Sequence, residues 1–177
     1  MKTRYIWLIV AAVLILAVGI GSTVAYLVAS SRTLENTFTV GHVEIELSET
    51  TGTVYKLAPG VTLMKDPTVT VKAGSDACWL FVKVQKTAGF DSFCTFEMQS
   101  DWTSLPGVAG VYYQKVEKTA VDRMFKILKN DRVMVRDTVT EEQLSTVGVN
   151  PTLDFTAYAV QSAGLATPQE AWQEANQ

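Results

Sequence analysis

Past residue 25 this sequence predicts an all-β fold, an antiparallel β-sandwich of jelly-roll or immunoglobulin-like kind with one or two short helices. Three observations carry that expectation. Apolar and polar residues alternate with period two along most of the chain, as in Val43, Ile45 and Leu47 set against His42, Glu44 and Glu46. Turn formers recur between these runs, at Pro59-Gly60, Lys65-Asp66-Pro67, Gly74-Ser75, Pro106-Gly107, Asn130-Asp131 and Asn150-Pro151. Helical periodicity is confined to two brief stretches, so the strands have each other to pack against.

The chain opens differently. Lys2 and Arg4 precede an uncharged run from Tyr5 to Ser31, broken by Gly19, Gly21, Ser22 and Thr23. A basic start, an apolar stretch and small residues beyond it make an export signal. Thr23 and Ala25 place small side chains three residues and one residue before a cut that leaves Tyr26 as the new N-terminus; Leu27 with Ala29 is a weaker register. The expected organisation is a signal peptide over 1–25 and a single sandwich domain over 26–177. The competing reading is an uncleaved segment held in the membrane, since roughly 20 apolar residues span a hydrocarbon core.

Along the domain, Val43 to Leu47 reads as a half-buried strand, and Val69 with Val71 as the inward phase of the next. ACWLFVKV, from Ala77 to Val84, is apolar on both phases at its start and is expected to be a central strand. Residues 93–98, 111–116, 124–128, 132–136 and 152–161 continue the series. Val43, Ile45, Val69, Val71, Leu80, Val82, Phe155 and Ala157 are the expected common core. Thr140 with Gln143, and Thr167 with Glu170, have capping-box spacing. Pro168 falls at a first helical position, where its missing N–H costs nothing. The second helix, about Pro168 to Glu174, is expected to lay Ala171 and Trp172 on the sandwich.

The residue inventory restricts chemistry. His42 is the one histidine in the sequence and sits on the outward phase of its strand, whereas zinc hydrolases draw on two or more imidazoles. No GxSxG elbow or glycine-rich phosphate loop occurs. Glu44 with Glu46 reads as a solvated sheet face, and Glu141 with Glu142 as acids at a helix start that complement its dipole. Asp66 and Asp131 are loop carboxylates of the type that binds calcium, without supporting spacing. No catalytic set, cofactor or metal is expected. Trp79, Trp102, Tyr112, Tyr113 and Trp172 would make a carbohydrate platform only if several were exposed together; strand aromatics more commonly fill a core.

Cys78 lies in phase with Leu80 and Val82, and Cys94 with Phe96 and Met98. On neighbouring strands of one sheet the two thiols would face the same core. They are either a disulfide, which an exported protein permits, or two buried free thiols. Without Lys2 and Arg4 the 15 basic residues fall to 13 against 18 acidic ones, a net charge of −5 over 26–177. With no basic cluster, that balance argues against a nucleic-acid partner.

The signal end GSTVAYL, then LENTFTVGHVEIELSE, LAPG, KDPTVTVKAGSDACWLFVKV, AYAVQ and TPQEAW resemble the exported TasA/camelysin family of Gram-positive bacteria, matured by a SipW-type signal peptidase. The resemblance implies a jelly-roll sandwich at the cell surface or in the extracellular matrix. TasA-like members form biofilm fibres in which the N-terminal segment of one subunit supplies a strand to the next. By that analogy the candidate donor strand runs through Leu34, Asn36, Phe38 and Val40. Alternating side chains would then fix register while main-chain bonds supply affinity. Pairing within its own sheet is the alternative. Camelysin-like members are described as surface metallopeptidases, but this sequence lacks the second histidine such chemistry requires.

The expected function is thus a non-enzymatic surface or matrix protein, self-associating or joining homologous matrix proteins. It would touch the membrane only through an uncleaved signal. A secreted binding module using exposed aromatics is the alternative. Ala25→Phe should block maturation and leave a membrane-held precursor; intact-mass measurement of the exported protein checks this, and release at the normal mass would exclude the register.

Overall fold

A computed structural model describes residues 42–51, 57–145 and 151–176, all within the compact unit Val40–Gln177. The signal-cleavage residues Thr23, Ala25 and Tyr26, and the candidate donor strand with Leu34, Asn36, Phe38 and Val40, lie outside the described residues. Among those described, the strands are β1 (Ile45–Ser48), β2 (Thr62–Met64), β3 (Thr68–Val71), β4 (Cys78–Lys86), β5 (Cys94–Met98), β6 (Thr103–Ser104), β7 (Val111–Val116), β8 (Arg123–Lys126), β9 (Leu128–Val135) and β10 (Leu153–Gln161). The helices are α1 (Phe90–Phe93), α2 (Glu141–Ser145) and α3 (Pro168–Ala175). The strands form three antiparallel sheets, ordered β1-β3-β8, β2-β9-β5 and β10-β4-β7-β6.

The two three-stranded sheets are ends of one bent layer. Residues 65–67 alone separate β2 from β3, and Ile127 alone separates β8 from β9. Across that interval the Lys65 N–H donates to Asp131 O at 2.8 Å, and the Ile127 N–H to Pro67 O at 3.0 Å. Asn130 and Asp131 take φ of 57° and 55°, the left-handed region that short polar side chains tolerate best. There the pairing shifts: Met64 faces Arg132, but Thr68 faces Lys126. Asn130-Asp131, which reads as a turn between strands, is therefore absorbed as a bulge, and the extra residues bend the layer.

β4 organises the packing. Cys78, Leu80 and Val82 are fully buried on one face, against Val69 and Val71 of β3, Cys94 of β5, and Leu128, Val133 and Val135 of β9. Val43, Ile45, Phe155 and Ala157 pack half-buried against the same cluster, so the expected common core is present. The other face of β4 presents Trp79 and Phe81, which pack with Leu105, Val111, Ala171 and Trp172. Trp172 lies 5.3 Å from Phe81 and 5.3 Å from Tyr158 between ring centroids. Helix α3 thus covers the outside of the four-stranded sheet. Its capping box is complete: the Glu170 N–H donates to Thr167 Oγ1 at 3.3 Å, and the Thr167 N–H to Glu170 Oε2 at 3.2 Å.

The cysteines do not sit on neighbouring strands of one sheet. β4 belongs to the four-stranded sheet and β5 to the layer opposite, because Gly89, at φ 86°, starts the single turn α1 that carries the chain across. Both thiols nevertheless enter the same core, and both are free. Leu80→Ala should lower stability by about 2–5 kcal/mol, and Ile45→Ala, at a half-buried site, by less; urea unfolding measures both.

Candidate functional site

A sheet in such a fold ends in a row of unpaired N–H and C=O groups, and natural proteins cover or charge those rows. Two edges here are shortened or partly covered. β6 is two residues long and turns straight back through the Leu105 N–H to Val111 O bond at 2.8 Å. Residues 99–102 cover the end of β8: the Gln99 N–H donates to Ile127 O, just beyond the strand, at 2.8 Å, and Trp102 Nε1–H to Lys126 O at 2.8 Å. The buried Trp102 ring anchors that crossover.

The side formed by β1 and β10, which contact each other, is different. Among the described residues β10 pairs with β4 alone. The Ser162 N–H to Ala77 O bond, 2.8 Å, and the Thr87 N–H to Thr152 O bond, 3.2 Å, set the parity of that ladder. Even-numbered residues exchange bonds with β4, so Leu153, Phe155, Ala157, Ala159 and Gln161 aim N–H and C=O away from the sheet. Over these nine residues there is no lysine, arginine or proline, and Asp154 is the sole charge. Phe155, Ala157 and Ala159 reach the first core and Tyr158 the second, each half-buried.

On β1 the Lys72 N–H to Glu44 O bond, 2.9 Å, directs Glu44 and Glu46 toward β3, and Ile45 and Leu47 outward. Leu47 shares the inward side-chain phase of Ile45 yet is 39% exposed, so the core is incompletely covered here. Below it, Lys65 Nζ meets both Glu49 oxygens at 3.0 and 2.9 Å, with the two side chains 12% and 21% exposed. The same ammonium lies 5.6 Å from the Phe155 ring centroid. One lysine therefore links the end of β1, the β2–β3 connection and β10.

Asp66 clamps the turn after β1. Its carboxylate accepts from the Thr50 and Thr51 N–H groups at 2.9 and 3.0 Å, from Thr51 Oγ1 at 2.9 Å, and from Thr50 Oγ1. These bonds, the Thr50 hydroxyl foremost, hold its carboxyl well below the usual carboxylate range, against a smaller opposing effect of desolvation. Its oxygens are engaged by protein donors, and Asp131 Oδ2 is engaged by Lys126. Among the described residues no three His, Cys, Asp or Glu side chains are grouped to hold a metal ion.

The remaining residues singled out in the sequence are dispersed. His42 is exposed, with Nε2 3.6 Å from Glu44 Oε2, and Glu46 pairs with Lys72. Trp79, Trp102 and Trp172 are buried and Tyr112 and Tyr113 half-buried, so these five form no solvent-facing row. Burial pushes the Cys78 thiol up to about 11, and burial likewise raises Cys94 despite the opposing charge of Arg136. No described helix is long and apolar enough to cross a membrane. No family model, curated protein or solved structure matches the chain.

The Asp66 clamp has a definite pH signature. A depressed folded pKa contributes stability that is fully present above the ordinary Asp value of about 3.9 and lost as pH falls below it. Asp66→Ala should therefore destabilise the protein at neutral pH, and the gap to the parent should close in strong acid. Urea unfolding at both pH values checks this, a gap of constant size being the contrary result.

Proposed function

We propose that the chain is an exported, non-enzymatic protein of the cell surface or extracellular matrix, TasA-like in its jelly-roll architecture. In this reading a SipW-type peptidase removes 1–25, and the segment carrying Leu34, Asn36, Phe38 and Val40 adds as a strand to an open edge of a neighbouring copy. One observation supports the reading: on the side of the fold made by β1 and β10, β1 turns the main-chain groups of Ile45 and Leu47 outward beside a half-covered core. The donor segment directly precedes β1 in the chain, so each copy has a strand to give next to an edge that takes one. Alternate side chains of the donor, Phe38 above all, would fill the gap beside Leu47.

The arrangement is head-to-tail, so it yields fibres when the rotation between successive copies does not close a ring. Deleting 26–36 from the exported protein should abolish concentration-dependent polymers, and Phe38→Asp should weaken them by placing a charge in an apolar seat. Electron microscopy and light scattering read the outcome. Polymers that persist undiminished both after the deletion and in Phe38→Asp would overturn strand donation.

A further inference from the structure

We propose that β10 also pairs with β10 of a second copy, in an antiparallel two-fold contact centred on Ala157. This contact uses a strand, not the N-terminal segment, and stands apart from strand donation. Leu153 to Gln161 is a nine-residue strand whose midpoint is Ala157. The outward-aimed residues are the odd-numbered ones, Ala157 among them, so an axis there pairs every residue of both strands. It sets Leu153 against the second copy's Gln161, Phe155 against its Ala159, and Ala157 against its Ala157. Each of these pairs exchanges both main-chain hydrogen bonds.

Side chains agree with that register. The bulky Phe155 faces a small alanine on the core side, so the pair is not crowded. Thr156 faces Tyr158 on the other side, and Asp154 faces Val160, so no like charges oppose each other. β1 is a poorer match: it is four residues long, and the axis that pairs its outward residues Ile45 and Leu47 with each other sets Glu46 directly against the second copy's Glu46. The contact is isologous, so it closes a dimer and joins two four-stranded sheets into one of eight.

Cross-linking of the full exported protein tests the register. Across a hydrogen-bonded antiparallel pair the Cα atoms are about 5.5 Å apart, within disulfide reach. Ala157→Cys should therefore give a disulfide-linked dimer under mild oxidant, whereas Ala159→Cys, which faces Phe155, should not. Cys78 and Cys94 are buried and stay out of the reaction. Absence of the Ala157→Cys dimer, or equal cross-linking of Ala159→Cys, overturns the proposal.

Ala157→Pro supplies a second measurement. The Ala157 N–H points away from β4, so proline removes none of the bonds between β10 and β4. It should weaken dimerisation by at least about tenfold in sedimentation, through loss of the axial hydrogen bonds; unchanged association overturns the contact. Deleting 26–36 separates the two interfaces: the Ala157→Cys cross-link should persist without that segment, and its loss counts against the β10 contact. Absence of fibres from the parent protein while the cross-link forms would count against strand donation alone.

Discussion

Everything in this fold follows from a strand that is apolar on both faces. β4 buries Cys78, Leu80 and Val82 on one side and Trp79 and Phe81 on the other, so each face requires its own cover. On the first side the cover is a whole layer, built from the two three-stranded sheets. On the second it is α3 with Leu105 and Val111, which bring the Trp172 indole onto Phe81. Removing an aromatic side chain from water releases on the order of 1.5–3 kcal/mol, so helix α3 has a strong reason to dock although eight residues are too few for a stable helix alone. Its reciprocal cap and N1 proline then hold the first turn in place.

The layer opposite must curve to follow the twist of the four-stranded sheet. A flat ladder from β2–β3 to β8–β9 would part from β4 at one end. The left-handed pair Asn130-Asp131 inserts extra residues on one side of that ladder, and the Lys65 and Ile127 amides carry hydrogen bonding across the bend. Continuity is kept where direction changes. The same bend brings Lys65 over Phe155 and within reach of Glu49, so the shape of the layer and the closure of its open side share one cause.

Most of this was legible where it is local. The alternation of Val69 with Val71 and of Leu80 with Val82 states an inward phase, and the double-faced run at Ala77–Val84 states a central strand. Both halves of the Thr167–Glu170 box lie within one turn. What could not be read is long-range or very short. β2 and β6 have three and two residues, too few to show a period. Asn130-Asp131 has the composition of a hairpin turn, and only its partner strand reveals a bulge. Cys78 and Cys94 alternate correctly, yet sequence spacing says nothing about α1 sending the chain to the opposite layer. The residues of the candidate edge follow the same rule: the phase of Phe155 and Ala157 is visible in the sequence, whereas the place of β10 at the end of the sheet order, among the described residues, is not.

That sheet order is asymmetric, and the asymmetry has a local origin. On the β7 side, growth of the four-stranded sheet is stopped by geometry: β6 turns back at Pro106-Gly107, with Gly107 at φ 83°, and Trp102 ties the preceding crossover to β8. Along β10 itself there is no proline or lysine. Because β4 must keep strands on both flanks to stay buried, β10 cannot be shortened or twisted away without exposing Leu80 and Phe81. The usual devices for blunting an edge are therefore in conflict with the core itself. A guarding charge on the odd-numbered residues of β10 would point into the first core, and one at Tyr158 would point into the second. A sheet stopped by chain geometry on one side and constrained by its core on the other can take a further strand only beside β10, from whatever source that strand comes.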